Sequence, residues 1–169
     1  MRLRAARSLL DLMSEHLARC VLLADRHHGL IEGVRTLLGT AFETVVMVAD
    51  VPSLLQSAER LEPALAIVDV SLGPGDAAAL VRELHDRCPD LKLLFLTVHD
   101  APTMAASLLA AGAAGVVLKR EIATHLLPAT EVVVSGRTYV SPGIKFPNGR
   151  SESSKRAERM SNSANQHET

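Results

Sequence analysis

Five short runs of apolar, β-rich sequence recur along the chain, and they constrain its fold more than any other feature. They are CVLLA (residues 20–24), TVVMV (44–48), LAIV (65–68), LKLLFL (91–96) and GVVL (115–118). Nearly all lack polar alternation. A strand covered on one face alone would alternate, so these read as strands buried on both faces of a parallel sheet. Between and after them lie longer amphipathic segments at 30–38, 52–61, 76–88, 101–111 and 121–135. Pro52 stands at the start of the second, where a missing N–H costs nothing. Pro128 falls inside the last and predicts a kink or one missing hydrogen bond. Strand then helix, repeated five times, predicts an α/β doubly wound parallel sheet of flavodoxin-like (βα)5 type. The expected strand order is 2-1-3-4-5, with right-handed crossovers and helices on both faces.

Composition narrows what such a sheet can be doing. The chain has 169 residues, 47% of them hydrophobic, with no Trp, one Tyr and three Phe, so its core must be aliphatic. The formal net charge is -1, which gives no bulk attraction to nucleic acid or anionic membrane. No apolar run approaches the roughly 20 residues of a membrane span, and Asp11 and Glu15 interrupt any signal-peptide core. Cys20 and Cys88 are too few for a metal knuckle or a disulfide framework and read as reduced thiols. A cytoplasmic protein is expected. No G-x-G-x-x-G follows the first strand, which argues against a dinucleotide site.

In an open α/β sheet the site lies at the carboxyl edge of the strands. Asp69 closes the third run there, in LAIVDVSLGPGD. Asp25 and Arg26 follow the first strand, Thr97 ends the fourth in LLFLTVHD, and Lys119 ends the fifth in GVVLKR. An acid, a hydroxyl and an ammonium from three other strands are therefore expected to converge on Asp69. A carboxylate in such a place can act as a nucleophile toward phosphorus, giving an acyl phosphate. The transition state gathers negative charge on oxygen and needs positioned cations and donors. An aspartate-nucleophile phosphatase would also need a second general acid and a cap domain, and neither is visible. His27, His28 and His99 lie near the same edge, but their spacing matches no ligand motif, and they read as loop or capping residues.

The segments VLLADRHHGLIEGVRTLL, LAIVDVSLGPGD, LLFLTVHD and AAGAAGVVLKR resemble the receiver domain of bacterial two-component response regulators, over residues 19–141. The likeness is greatest to the LuxR-type subfamily, through His27, the AGAAG turn and YVSP after the last helix. The resemblance implies a phosphoryl group accepted on Asp69 from a sensor histidine kinase or phosphotransfer protein. It implies that Thr97 hydrogen-bonds the phosphate and that Lys119 pairs with the acid or the phosphate. It also implies a Mg²⁺ ion held by Asp25, Asp69 and the backbone carbonyl of Ser71. The module would be a signalling domain rather than an enzyme.

Three departures from the family pattern stand out. The usual second acid after the first strand is Arg26 here, which cannot ligate a cation and is expected to weaken metal binding. Arg26 either takes the cation's place, paired with Asp69 or docked on phosphate, or swings into solvent and leaves a weak Mg²⁺ site. The first alternative would make the domain a phosphorylation-impaired pseudo-receiver, an interaction or dimerisation module. Val116 stands where the family often places an aromatic switch residue, and valine is stiff at χ1. Gly73-Pro74-Gly75 also alters the usual Pro-Gly order, although both residue types still serve a turn.

The ends of the chain differ from its middle. Residues 1–18 are expected to form an N-terminal helix or a leader. Residues 142–169 are polar and rich in Ser and Asn, and they predict a disordered tail. Its basic residues Arg150, Lys155, Arg156 and Arg159 alternate with acids, and no helix-turn-helix pattern is visible. Nucleic-acid binding is therefore not expected. Output is expected through a downstream protein partner, with a homodimer as one form of contact.

Overall fold

The computed structural model describes residues 19–147. The helix or leader expected over 1–18 and most of the tail expected over 142–169 lie outside the described residues. Strands β1 (Cys20–Ala24), β2 (Thr44–Val48), β3 (Leu65–Asp69), β4 (Lys92–Thr97) and β5 (Gly115–Leu118) alternate with helices α1 (His28–Leu38), α2 (Val51–Leu61), α3 (Ala77–Arg87), α4 (Pro102–Ala111) and α5 (Ile122–Val134). A sixth strand, β6 (Tyr139–Val140), follows α5. The sheet is parallel with order β2-β1-β3-β4-β5-β6. This is the expected order extended by one edge strand.

The strands alternate their side chains between two aliphatic layers, as the pleat requires. Leu22, Ala24, Ala66, Val68, Leu93, Phe95, Val116 and Leu118 face a layer completed by Leu54 and Ala58 of α2, Val81 and Leu84 of α3, and Leu108 of α4. Val21, Leu23, Leu65, Ile67, Leu94, Leu96 and Val117 face the other layer, completed by Val34 and Leu38 of α1 and by Leu126 and Val133 of α5. Both faces are thus covered, which is why the strands carry no polar alternation.

Local signals set the helix ends. Asp50 caps α2 by accepting from the Ser53 N–H at 2.7 Å, and Asp76 caps α3 by accepting from the Ala78 N–H at 3.1 Å. Gly112 ends α4 at φ 115°, a conformation glycine adopts without strain. Helix α5 runs unbroken through Pro128, which is exposed, so the proline removes one backbone donor without ending the helix.

Strand β6 depends on Gly115. A Cβ there would lie 2.8 Å from the Tyr139 carbonyl oxygen and 2.7 Å from Leu94 Cδ1, so a side chain at this position would push the edge strand away. Packing also continues past residue 141: Ile144 is buried in the layer that contains Phe95 and Leu118. The buried Ser141 hydroxyl accepts from the Leu118 N–H at 2.9 Å. The chain after β6 is therefore held against the end of β5 before the polar tail begins.

Candidate functional site

Asp69 is the last residue of β3, and Asp25 follows β1 directly. Ala24 pairs with Val68, so the two aspartates extend neighbouring strands at the same level of the sheet. Both carry the pleat parity of the layer lined by α1 and α5. So does Lys119, one residue beyond β5 and the first residue of a 3-10 turn over Lys119–Glu121. Shared parity on three strands brings these side chains to one notch.

The notch is closely paired. Asp25 is 2% exposed and Asp69 3% exposed. The Lys119 ammonium donates to Asp25 Oδ2 at 2.8 Å and lies 3.1 Å from Asp69 Oδ1. One cation thus sits between two buried carboxylates that would otherwise repel. Asp25 Oδ1 accepts from the His27 N–H at 2.8 Å and lies 2.9 Å from His27 Nδ1. Asp69 Oδ2 accepts from the Ser71 hydroxyl at 2.5 Å and lies 3.6 Å from His27 Nδ1. Every carboxylate oxygen of the pair therefore has a protein donor.

Thr97 reaches the same edge but turns elsewhere. Leu96 pairs with Asp69, so Thr97 falls one residue further along and on the opposite pleat parity. It is buried, and its hydroxyl accepts from the His99 N–H at 3.0 Å. No contact of Thr97 with Asp69 is present among the described hydrogen bonds. Arg26 is exposed and donates to the Leu72 carbonyl oxygen at 2.5 Å, tying the β1–α1 loop to the β3–α3 loop. An ion pair of Arg26 with Asp69, one of the alternatives open from the sequence, is not among the described salt bridges, where Asp69 has Lys119 and His27 as partners.

Two contributors escaped the sequence reading. His27, expected as a loop or capping residue, occupies the N-cap position of α1 yet makes no side-chain cap there. Its ring turns back onto Asp25 instead. The signal was the Asp-x-His spacing, in which an aspartate accepts from the N–H two residues on and bends the chain over itself. The family resemblance points to Ser71 through its carbonyl alone, whereas its hydroxyl holds Asp69.

Burial alone would raise the Asp25 pKa. The hydrogen bonds from Lys119 and the His27 backbone, with the Lys119 charge, outweigh it and hold the carboxyl below the ordinary range. A carboxylate with a depressed folded pKa stabilises the fold above its unfolded pKa of about 3.9, and loses that contribution as pH falls through the folded value. Urea unfolding of the wild type should therefore show stability declining from about pH 4 downward. Asp25→Asn should shrink that decline, and an undiminished decline would show that Asp25 is not its source.

Comparison with known proteins identifies the family of this fold. A family model described as the response regulator receiver domain matches residues 21–131. The transcriptional regulatory protein DegU of Brevibacillus brevis is 29% identical over 126 residues, covering 73% of this chain and 53% of that protein. A putative transcriptional regulator of Pseudomonas aeruginosa is 35% identical over 130 residues, covering 76% of this chain and 60% of its own length. The chain thus spans between about half and three-fifths of these curated relatives. Among solved structures, the isolated receiver domain of RcsB from Salmonella enterica superposes with TM-score 0.67 at 25% identity, over 75% of this chain and 95% of that one. A LuxR-family response regulator from Aurantimonas superposes with TM-score 0.70 at 23% identity, over 85% of this chain and 99% of that one.

Proposed function

The chain belongs to the response regulator receiver domain family, and from that premise we propose that it accepts a phosphoryl group on Asp69 from a sensor histidine kinase or phosphotransfer protein. The observation that carries the reading is the position of Asp69. It is a buried carboxylate at a strand end, with Oδ1 beside the Lys119 ammonium and Oδ2 held by Ser71. In the transfer, an Asp69 oxygen forms a bond to phosphorus as the phosphorus–nitrogen bond of the donor's phosphohistidine breaks. The donor imidazole leaves with the bonding electron pair. Lys119 offsets the charge that collects on the phosphoryl oxygens. Ser71 orients the carboxylate. Thr97 reaches the phosphoryl group only if its hydroxyl gives up its contact with His99.

Members of this family use a divalent cation, and the residues present fit one. Lys119 occupies Asp25 Oδ2 and Asp69 Oδ1, which leaves Asp25 Oδ1 and Asp69 Oδ2 on the side toward His27. With Mg²⁺ bound there, the cation would supply further neutralisation of phosphoryl charge. Arg26 brings no ligand but stays tied to Leu72, away from the carboxylates. That position favours phosphoryl acceptance over the pseudo-receiver reading, in which Arg26 fills the cation's place.

The test is intact mass after incubation with acetyl phosphate or phosphoramidate, with and without Mg²⁺. The expected result is the added mass of one phosphoryl group in the wild type and none in Asp69→Asn. No addition to the wild type, with addition restored by Arg26→Asp, would support the pseudo-receiver instead. Signalling would pass to a downstream protein partner, in the cytoplasm. RcsB has been solved as dimers bound to DNA, and homodimerisation is the corresponding proposal for this chain. No helix among the described residues is long and apolar enough to cross a membrane.

A further inference from the structure

The cation site and the lysine site use different oxygens, and that division has a chemical consequence. Asp25, His27 and Asp69 each bring one possible ligand atom within 4.8 Å of the other two. His27 Nδ1 lies 2.9 Å from Asp25 Oδ1 and 3.6 Å from Asp69 Oδ2. Two ligands at about 2.1 Å from one metal ion stand roughly 3.0 Å apart in an octahedral arrangement and roughly 3.4 Å apart in a tetrahedral one. The two spacings to Nδ1 bracket these values. The His27 ring is not spent on capping α1, and its side chain is 58% exposed, so a hydrated ion has an approach.

We infer that Asp25, His27 and Asp69 bind a first-row transition-metal dication, with the imidazole Nδ1 as a direct ligand that selects such ions over Mg²⁺. The ammonium of Lys119 needs no displacement, because it pairs with the other oxygen of each carboxylate. Ser71 uses one lone pair of Asp69 Oδ2 and leaves another. As a ligand, His27 carries its ring proton on Nε2 and presents the bare Nδ1. An imidazole nitrogen favours ions such as Ni²⁺ and Zn²⁺, while carboxylate oxygens alone suit Mg²⁺. The missing second acid at Arg26 sharpens the contrast, because it leaves a hard cation two carboxylate ligands and no third. The inference rests on the same notch as the receiver reading but not on phosphoryl transfer.

The test is calorimetric titration of the full chain with NiCl2 and, separately, MgCl2, with no phosphodonor present. In His27→Ala, Ni²⁺ affinity should fall at least about tenfold while Mg²⁺ affinity changes less than about twofold. Equal losses for both ions, or an unchanged Ni²⁺ affinity, would overturn the assignment. Should the variant fold poorly, Ni²⁺ added to the wild type should selectively broaden the NMR signals of the His27 ring. Sharp His27 signals at saturating Ni²⁺ would also overturn it. A protein that takes up phosphoryl on Asp69 but shows no His27-dependent discrimination would refute this inference and leave the receiver reading standing.

Discussion

Lys119→Met should lower the unfolding free energy by about 3 kcal/mol at neutral pH, measured by urea denaturation in the presence of chelator. The Lys119 side chain is 11% exposed and stands between the two buried carboxylates. Methionine keeps much of the stem's packing but removes the charge. Two buried like charges then face each other, and the pair relieves the repulsion by holding a proton, which raises one apparent pKa. A folded state that binds an extra proton gains stability as pH falls. The variant's deficit should therefore narrow as pH falls below neutrality. A deficit that is absent, or that does not change with pH, would mean the three groups are not coupled as the distances indicate.

Phe95→Ala should cost about 3–5 kcal/mol, a large share of the 5–15 kcal/mol typical of a folded domain. Phe95 is fully buried in β4, between Val68 of β3 and Val116 of β5 in register. The chain has three Phe and no Trp, so the surrounding layer is aliphatic and holds no comparable ring to fill the gap. The midpoint in urea should drop with an unchanged slope. A loss under about 1 kcal/mol would show that the layer collapses around the cavity.

Strands β1, β2 and β5 were legible to the residue, because runs buried on both faces carry an unmixed apolar signal. The third was read one residue short, since its last residue is the functional Asp69. The edge strand β6 was not seen as a strand. Two residues, Tyr139 and Val140, are too few for a period, and the pairing depends on the close approach that Gly115 permits. Asp25, Asp69 and Lys119 could be placed from strand ends alone. The turn of Thr97 toward His99 follows from register and pleat parity, which no single strand reveals. The roles of His27 and Arg26 were hidden for a related reason. Each is set by a local backbone group, the Asp25 turn and the Leu72 carbonyl, that only the folded loops bring into place.

The central claim is that the carboxylate at residue 69 receives the phosphoryl group. The most direct measurement is to phosphorylate the wild-type chain with acetyl phosphate, reduce the acyl phosphate with borohydride, and map the product by tandem mass spectrometry. Conversion of residue 69 to homoserine is the predicted result. Conversion at Asp25 instead, or none anywhere in the chain, would contradict it.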